Sequence, residues 1–246
     1  MSENPPLLSL QNVSKSYSRG MREIRVLDGV SLELHAGEFI VVWGRRRSGK
    51  TTLASIAGGL LLPNAGTVSF RGENLASADR MRSRRIRKEI AFVGGPESHH
   101  IPDRRRVIDY VSGVRRRRSG FRKAHFSAYH VLEELELSSC ASDQWGSLGD
   151  QDRALVMLAK ALMRRPKVLV LDDLTVYLDG YVERVRIERW LRQVADEQGL
   201  AILQTTDAMA TAIAADTIAT LVSGGLLMPK VNEATVVPFP ARRESA

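Results

Sequence analysis

Residues 44–51 read Gly44-Arg45-Arg46-Arg47-Ser48-Gly49-Lys50-Thr51, a turn bracketed by glycines and ending in lysine and threonine. Side chains of these types at this spacing suit the binding of a phosphate chain. The glycines let the backbone wrap an anion with its N–H groups pointing inward. A helix starting at the lysine adds the partial positive charge of its N-terminus. Lys50 is then placed to reach β- and γ-phosphates, and the Thr51 hydroxyl to ligate Mg²⁺, with Thr52 beside it. Such a metal also needs a carboxylate from a neighbouring strand end. Asp172 offers one, after the apolar run Val168-Leu169-Val170-Leu171. The rival reading is a glycine-rich turn with a stray lysine, and the flanking sequence argues against it.

Those flanks must be a strand and a helix for the loop to work. Phe39-Ile40-Val41-Val42-Trp43 is a short β-branched run and predicts a buried strand. A helix is expected from 51 to 61, broken by Pro63-Asn64-Ala65-Gly66. Strands are expected at 7–17 and 25–34, joined by Ser18-Arg19-Gly20, and again at 67–71 and 90–93. Residues 97–165 show no strand pattern and predict helices at 107–114, 128–135 and 150–164. Further on come a strand at 168–171, an amphipathic helix at 182–198 and a strand at 201–205. A helix at 208–215 and a strand pair at 218–222 and 226–228 complete the pattern. Strands alternating with helices imply an α/β fold with a parallel sheet covered on both faces, here with a helical insertion. Residues 1–235 read as one domain and 236–246, with two prolines, as a loose tail.

Composition narrows the function classes. The chain has 246 residues, of which 43% are hydrophobic and 26% charged, enough for a sizeable core in a soluble protein. No apolar run is long enough for a membrane span. The N-terminus lacks the basic and apolar regions of a signal peptide. A single cysteine, Cys140, suits a reducing cytoplasm. Net charge is +8, and residues 80–123 alone carry +11. That segment admits three readings: a nucleic-acid patch, a face near anionic lipid, or solvated helix faces. Few aromatics accompany its arginines, so base stacking has little support.

The order of these features resembles the ATP-binding subunit of an ABC transporter, over about residues 7–230. The stretch Pro166 to Thr175 is similar to the family's Walker B segment, and Asp179 to its D-loop aspartate. The segments Leu27-Asp28-Gly29-Val30-Ser31-Leu32 and Ile56-Ala57-Gly58-Gly59-Leu60 look most like the lipoprotein-release, macrolide-export and cell-division branch. The resemblance implies a P-loop ATPase fold with a RecA-like parallel core, an antiparallel β subdomain and a helical subdomain at about 97–165. It implies ATP and Mg²⁺ as ligands, with Tyr17 stacking on adenine. It also implies a transmembrane permease and a second ATP-binding subunit as partners, on the cytoplasmic face of the membrane. That subunit is either another copy or a competent ATPase; nucleic acid is a less favoured partner.

Four positions depart from the family pattern. Asp173 stands where the family places its catalytic glutamate, and is one methylene shorter. Thr206 stands at the switch histidine, and Gly95 at the Q-loop glutamine. The signature segment that closes over the partner's ATP falls, ungapped, on Leu148-Gly149-Asp150-Gln151-Asp152. A gapped alternative starts at Ser147. Either way the signature serine is lost and Asp150 brings negative charge. The departures touch hydrolysis or closure and leave the phosphate loop intact. The expectation is a chain that binds ATP and cleaves it poorly; a slow but genuine transport ATPase and a soluble ATP-binding protein acting on nucleic acid are the alternatives.

Overall fold

Two strands open the chain, β1 (Leu8–Arg19) and β2 (Arg22–Leu34), followed by β3 (Phe39–Trp43), which feeds the glycine loop and α1 (Lys50–Ala57). Next come β4 (Ala65–Phe70), β5 (Glu73–Asn74) and β6 (Ile90–Val93). Three helices follow: α2 (Val107–Ser112), α3 (Phe121–Glu134) and α4 (Asp150–Leu162). The chain ends in β7 (Val168–Asp172), α5 (Gly180–Gln198), β8 (Ala201–Thr206), β9 (Thr217–Val222) and β10 (Gly225–Leu227). This computed structural model describes residues 5–20, 22–77, 85–86, 88–98, 100–113, 121–208 and 212–229.

β1, β2, β4 and β5 form an antiparallel sheet in the order β2-β1-β4-β5. The second sheet has the order β10-β9-β3-β8-β7-β6, parallel except for the β9–β10 pair. Side chains alternate across its strands, so each strand serves two cores. Phe39, Val41, Leu169 and Leu171 pack with the insertion helices and α5. Ile40, Val42, Val168 and Val170 pack with α1 and the antiparallel sheet. The helical insertion leaves the sheet after β6 and returns to it at the adjacent β7.

Register sets the functional edge. Trp43 pairs with Thr206, and Thr205's neighbour on the other side is Asp172. The carboxyl ends of β3, β8 and β7 are therefore level, and ligands of open α/β sheets gather at such an edge.

Several element ends differ from those expected. α1 stops at Ala57 rather than at 61, because Gly58 and Gly59 follow; the Gly58 N–H closes on Ala54 O. Leu60 and Leu62 are left exposed. α2 stops at Ser112, capped by Gly113 at φ 66°. The second insertion helix, α3, starts at Phe121, ahead of 128. Residues 212–215 are not helical. Residues 209–211, the 236–246 tail and the stretches 80–84, 87 and 114–120 of the basic segment lie outside the described residues.

One buried carboxyl links the layers. Glu188 of α5 is 1% exposed and accepts from Gln204 Nε2 at 2.9 Å and from Ile213 N at 3.2 Å. Burial pushes its carboxyl from an ordinary 4.5 up to about 7, against the pull of these donors. Between those two values the folded chain keeps a proton that the unfolded chain has released. Glu188 therefore makes stability fall as pH rises through this window, by up to about 1.4 kcal/mol per unit. Thermal unfolding at several pH values should show this slope flattened in Glu188→Gln; an identical slope would contradict the assignment.

Candidate functional site

The loop after β3 is held from both sides. Gly44 N donates to Thr206 O at 3.1 Å, and Ser48 N closes a turn on Arg45 O at 3.2 Å. Gly49 caps α1 at φ 105°, and a Cβ there would lie 2.9 Å from Val26 O. Only glycine meets both demands. Lys50 Nζ then folds back over the loop, 2.9 Å from Gly44 O and 3.3 Å from Arg45 O, and is 5% exposed. Its remaining neighbour is Asp173 Oδ2 at 3.7 Å.

The two acidic residues after β7 do different things. Asp172 is 9% exposed and its Oδ1 accepts from Thr205 Oγ1 at 2.8 Å. Asp173 sits at φ 51°, a left-handed conformation that aspartate tolerates better than most residues. Its N–H donates to Thr205 Oγ1 and to Thr205 O, both at 3.2 Å. Burial pushes the Asp173 carboxyl above the usual aspartate value; Lys50 lowers it, and Asp172 and Asp207 raise it. That makes it more basic than a solvated aspartate, though still short in reach.

A cavity of about 250 Å³ opens beside Arg46, Arg47, Lys50, Thr51, Thr52 and Asp173. Asp173 Oδ1 at this cavity, and Ser48 Oγ beside Gly44, are buried without a partner among the described residues. Orphaned polar atoms cost about 1–3 kcal/mol each, so this is a site built to be completed by polar groups. A phosphate chain in this cavity would accept from Lys50. A hydrated Mg²⁺ suits Thr51, Asp172 and Asp173. The residues present thus fit both groups. A larger cavity, about 410 Å³ beside Leu60 and Leu75, has no ionisable lining residue among the described residues.

The other expected residues fall around this cradle. Tyr17 near the end of β1 is 43% exposed, with Oη 3.5 Å from Thr52 Oγ1. The three loop arginines expose their side chains and use their backbone to build the loop, Arg47 at φ 65°. Arg46 Nε lies 3.8 Å from Asp207 Oδ2, a weak, solvated contact. Thr206 is fully buried, and its Oγ1 meets Thr175 Oγ1 at 2.9 Å and Ala208 N at 3.0 Å. Gly95 lies beneath Tyr177. Leu148 is buried, and Gly149 is the N-cap of α4, where a serine would be favoured. Asp150 is exposed and 3.4 Å from Arg153 Nη1. Asp152 is half-buried, near enough to Cys140 to help burial raise that thiol to about 11. Gln151 Oε1 accepts from Asp179 N at 2.7 Å, joining the signature segment to the D-loop.

A family model described as "ABC transporter" matches residues 27–176. The chain belongs to the ABC transporter family. It is an ATP-binding domain of that family, with a P-loop ATPase fold. Among curated ABC proteins it is 30% identical over 223 residues to the lipoprotein-releasing system ATP-binding protein LolD of Pseudomonas syringae, covering 90% of this chain and 97% of that one. It is 29% identical over 178 residues to the putative hemin import ATP-binding protein HrtA of Staphylococcus haemolyticus, covering 70% and 78%. The dimeric ABC cassette MJ0796 superposes with a TM-score of 0.82 at 25% identity, over 92% of this chain and all of that one. A post-hydrolysis form of MJ0796, bound to ADP and Pi, superposes equally well. No helix among the described residues is long and apolar enough to cross a membrane.

Sequence reasoning missed Thr205, which holds both Asp172 and the Asp173 backbone. It also missed Thr175 and the pairing of Tyr177 with Glu97. One signal was available: Gln204-Thr205-Thr206 is an unusually polar end for a fully buried strand. Gly49→Ala should cost about 1–3 kcal/mol in denaturant unfolding, from backbone strain and the Val26 contact. An unchanged midpoint would contradict the loop geometry.

Proposed function

We propose that this chain is the ATP-binding subunit of an ABC-type membrane complex that holds Mg-ATP firmly and hydrolyses it weakly. One observation carries this reading: Lys50 is buried in a complete phosphate loop, while the residue at the base position, Asp173, turns one oxygen towards that lysine. Lys50, Ser48 and the loop amides bind the phosphates. Thr51 and Asp172 hold Mg²⁺, which when bound offsets phosphate charge, and Tyr17 packs on adenine. Asp173 is the weakened base; Thr206 and Gly95 lack an imidazole and an amide at their positions. General bases contribute about 10²–10⁴-fold, so a misplaced one costs much of the rate.

The partners proposed are a transmembrane permease and a second ATP-binding subunit. The LolD relative is named for a lipoprotein-releasing system, and MJ0796 was solved as a dimer. The helical insertion, about 97–165, is the part proposed to face the permease on the cytoplasmic side of the membrane. Asp150 is the exposed charge of the signature segment, and in a head-to-tail pair of copies it approaches the other copy's Arg45–Arg47.

ATP titration of the isolated chain tests the binding claim. Lys50→Ala should lose about ten- to a hundredfold in affinity, the worth of a charged hydrogen bond to phosphate. Unchanged affinity would leave a subunit that binds no nucleotide through this loop. Recovery with RNA or DNA, rather than with a membrane protein, would favour the nucleic-acid reading. For self-association, Asp150→Ser should weaken the ATP-bound dimer, most at low salt. Equal dimer affinity at all salt concentrations would sink the charge pairing.

A further inference from the structure

A contact between two loops replaces a missing side chain. Tyr177 ends the 3-10 turn Leu174–Tyr177, which starts directly after Asp173. Its Oη donates to the Glu97 carboxylate, whose oxygens lie 2.7 and 2.8 Å away. Glu97 belongs to the 3-10 turn Pro96–Ser98 that follows β6. The pair therefore bridges the loops at the carboxyl ends of adjacent strands β6 and β7. Gly95 makes this possible: a Cβ there would lie 2.0 Å from Tyr177 Oη and 2.4 and 2.5 Å from the Glu97 oxygens. No side chain at position 95 is compatible with the tyrosine where it stands. Burial first, then the bond to Glu97, then the charges of Glu97, Asp150 and Asp172 raise the phenol well above its ordinary value. The hydroxyl thus remains a donor to Glu97 at any physiological pH.

We propose that Tyr177 is a positioning residue that occupies the space of the side chain absent at Gly95. Its bond to Glu97 fixes the turn after Asp173, and so the place of that carboxylate against Lys50. This rests on the reading of the loop as a nucleotide site. Without the bond the turn must be ordered when ATP binds, and ordering weakens affinity. The steric half of the claim is independent of nucleotide.

The test uses the full chain and two readouts. In nucleotide-free thermal unfolding, Gly95→Ala should lower Tm when Tyr177 is present and leave it unchanged in a Tyr177→Ala background. Equal shifts in both backgrounds would overturn the contact, because coupled neighbours are not additive. In ATP titrations well below Tm, Tyr177→Phe keeps the ring and loses the bond, and should bind about three- to tenfold more weakly. Gly95→Gln with Tyr177→Ala should bind more tightly than either single variant, since the amide then fills the vacated space. Wild-type affinity in Tyr177→Phe, with Lys50→Ala losing affinity, would overturn the positioning role alone. Wild-type affinity in Lys50→Ala would show that the nucleotide reading has failed, and the positioning role falls with it.

Discussion

A lysine held almost out of water organises this domain. Burying an ammonium without partners is costly, so Lys50 must be surrounded by oxygens before any ligand arrives. The loop supplies two of its own carbonyls, from Gly44 and Arg45, and Asp173 supplies a carboxylate. That arrangement requires glycine at both ends of the loop, a strand that stops at Trp43 and a helix that starts at Lys50. It also requires β7 to end level with β3, so that Asp173 faces the lysine.

The level strand ends come from packing. β3, β7 and the first half of β8 bury apolar side chains on both faces, and a shift of one residue would turn every side chain into the other core. The register Trp43↔Thr206 and Thr205↔Asp172 is thus fixed by hydrophobic burial far from the chemistry. Thr205 then converts register into geometry, since one hydroxyl serves both Asp172 and the Asp173 backbone. Asp173 follows in a left-handed turn, which suits its short side chain.

The central strands and the phosphate loop were legible because their signals are local. Five-residue β-branched runs predict buried strands, and paired glycines before lysine predict an anion loop. Helix ends were less legible. A helix was expected to run to Leu61, but Gly58 and Gly59 end it, and Leu60 and Leu62 are exposed. The partners of the site residues were not legible at all. That Tyr177 lies over Gly95, or that Gln151 meets the Asp179 backbone, depends on loops from distant parts of the chain meeting at one sheet edge. From sequence the three arginines fitted phosphate contacts, solvent or a partner's acidic signature equally. Their backbone builds the loop, and only Arg46 has an ion-pair partner among the described residues, the weak contact with Asp207.

Binding and cleavage make separate demands on one edge of a sheet, and in the proposed function this domain meets the first more fully than the second. The phosphate loop is complete, while the family resemblance sets Gly95, Gly149, Asp173 and Thr206 at the positions of its glutamine, serine, glutamate and histidine. The most direct test is ATP turnover by the chain assembled with its permease, with nucleotide saturating. The account expects turnover well below about 1 s⁻¹, the low end of ordinary enzyme rates. Turnover at or above about 1 s⁻¹, lost in Asp173→Asn, would contradict it and make this subunit a working ATPase with an aspartate base.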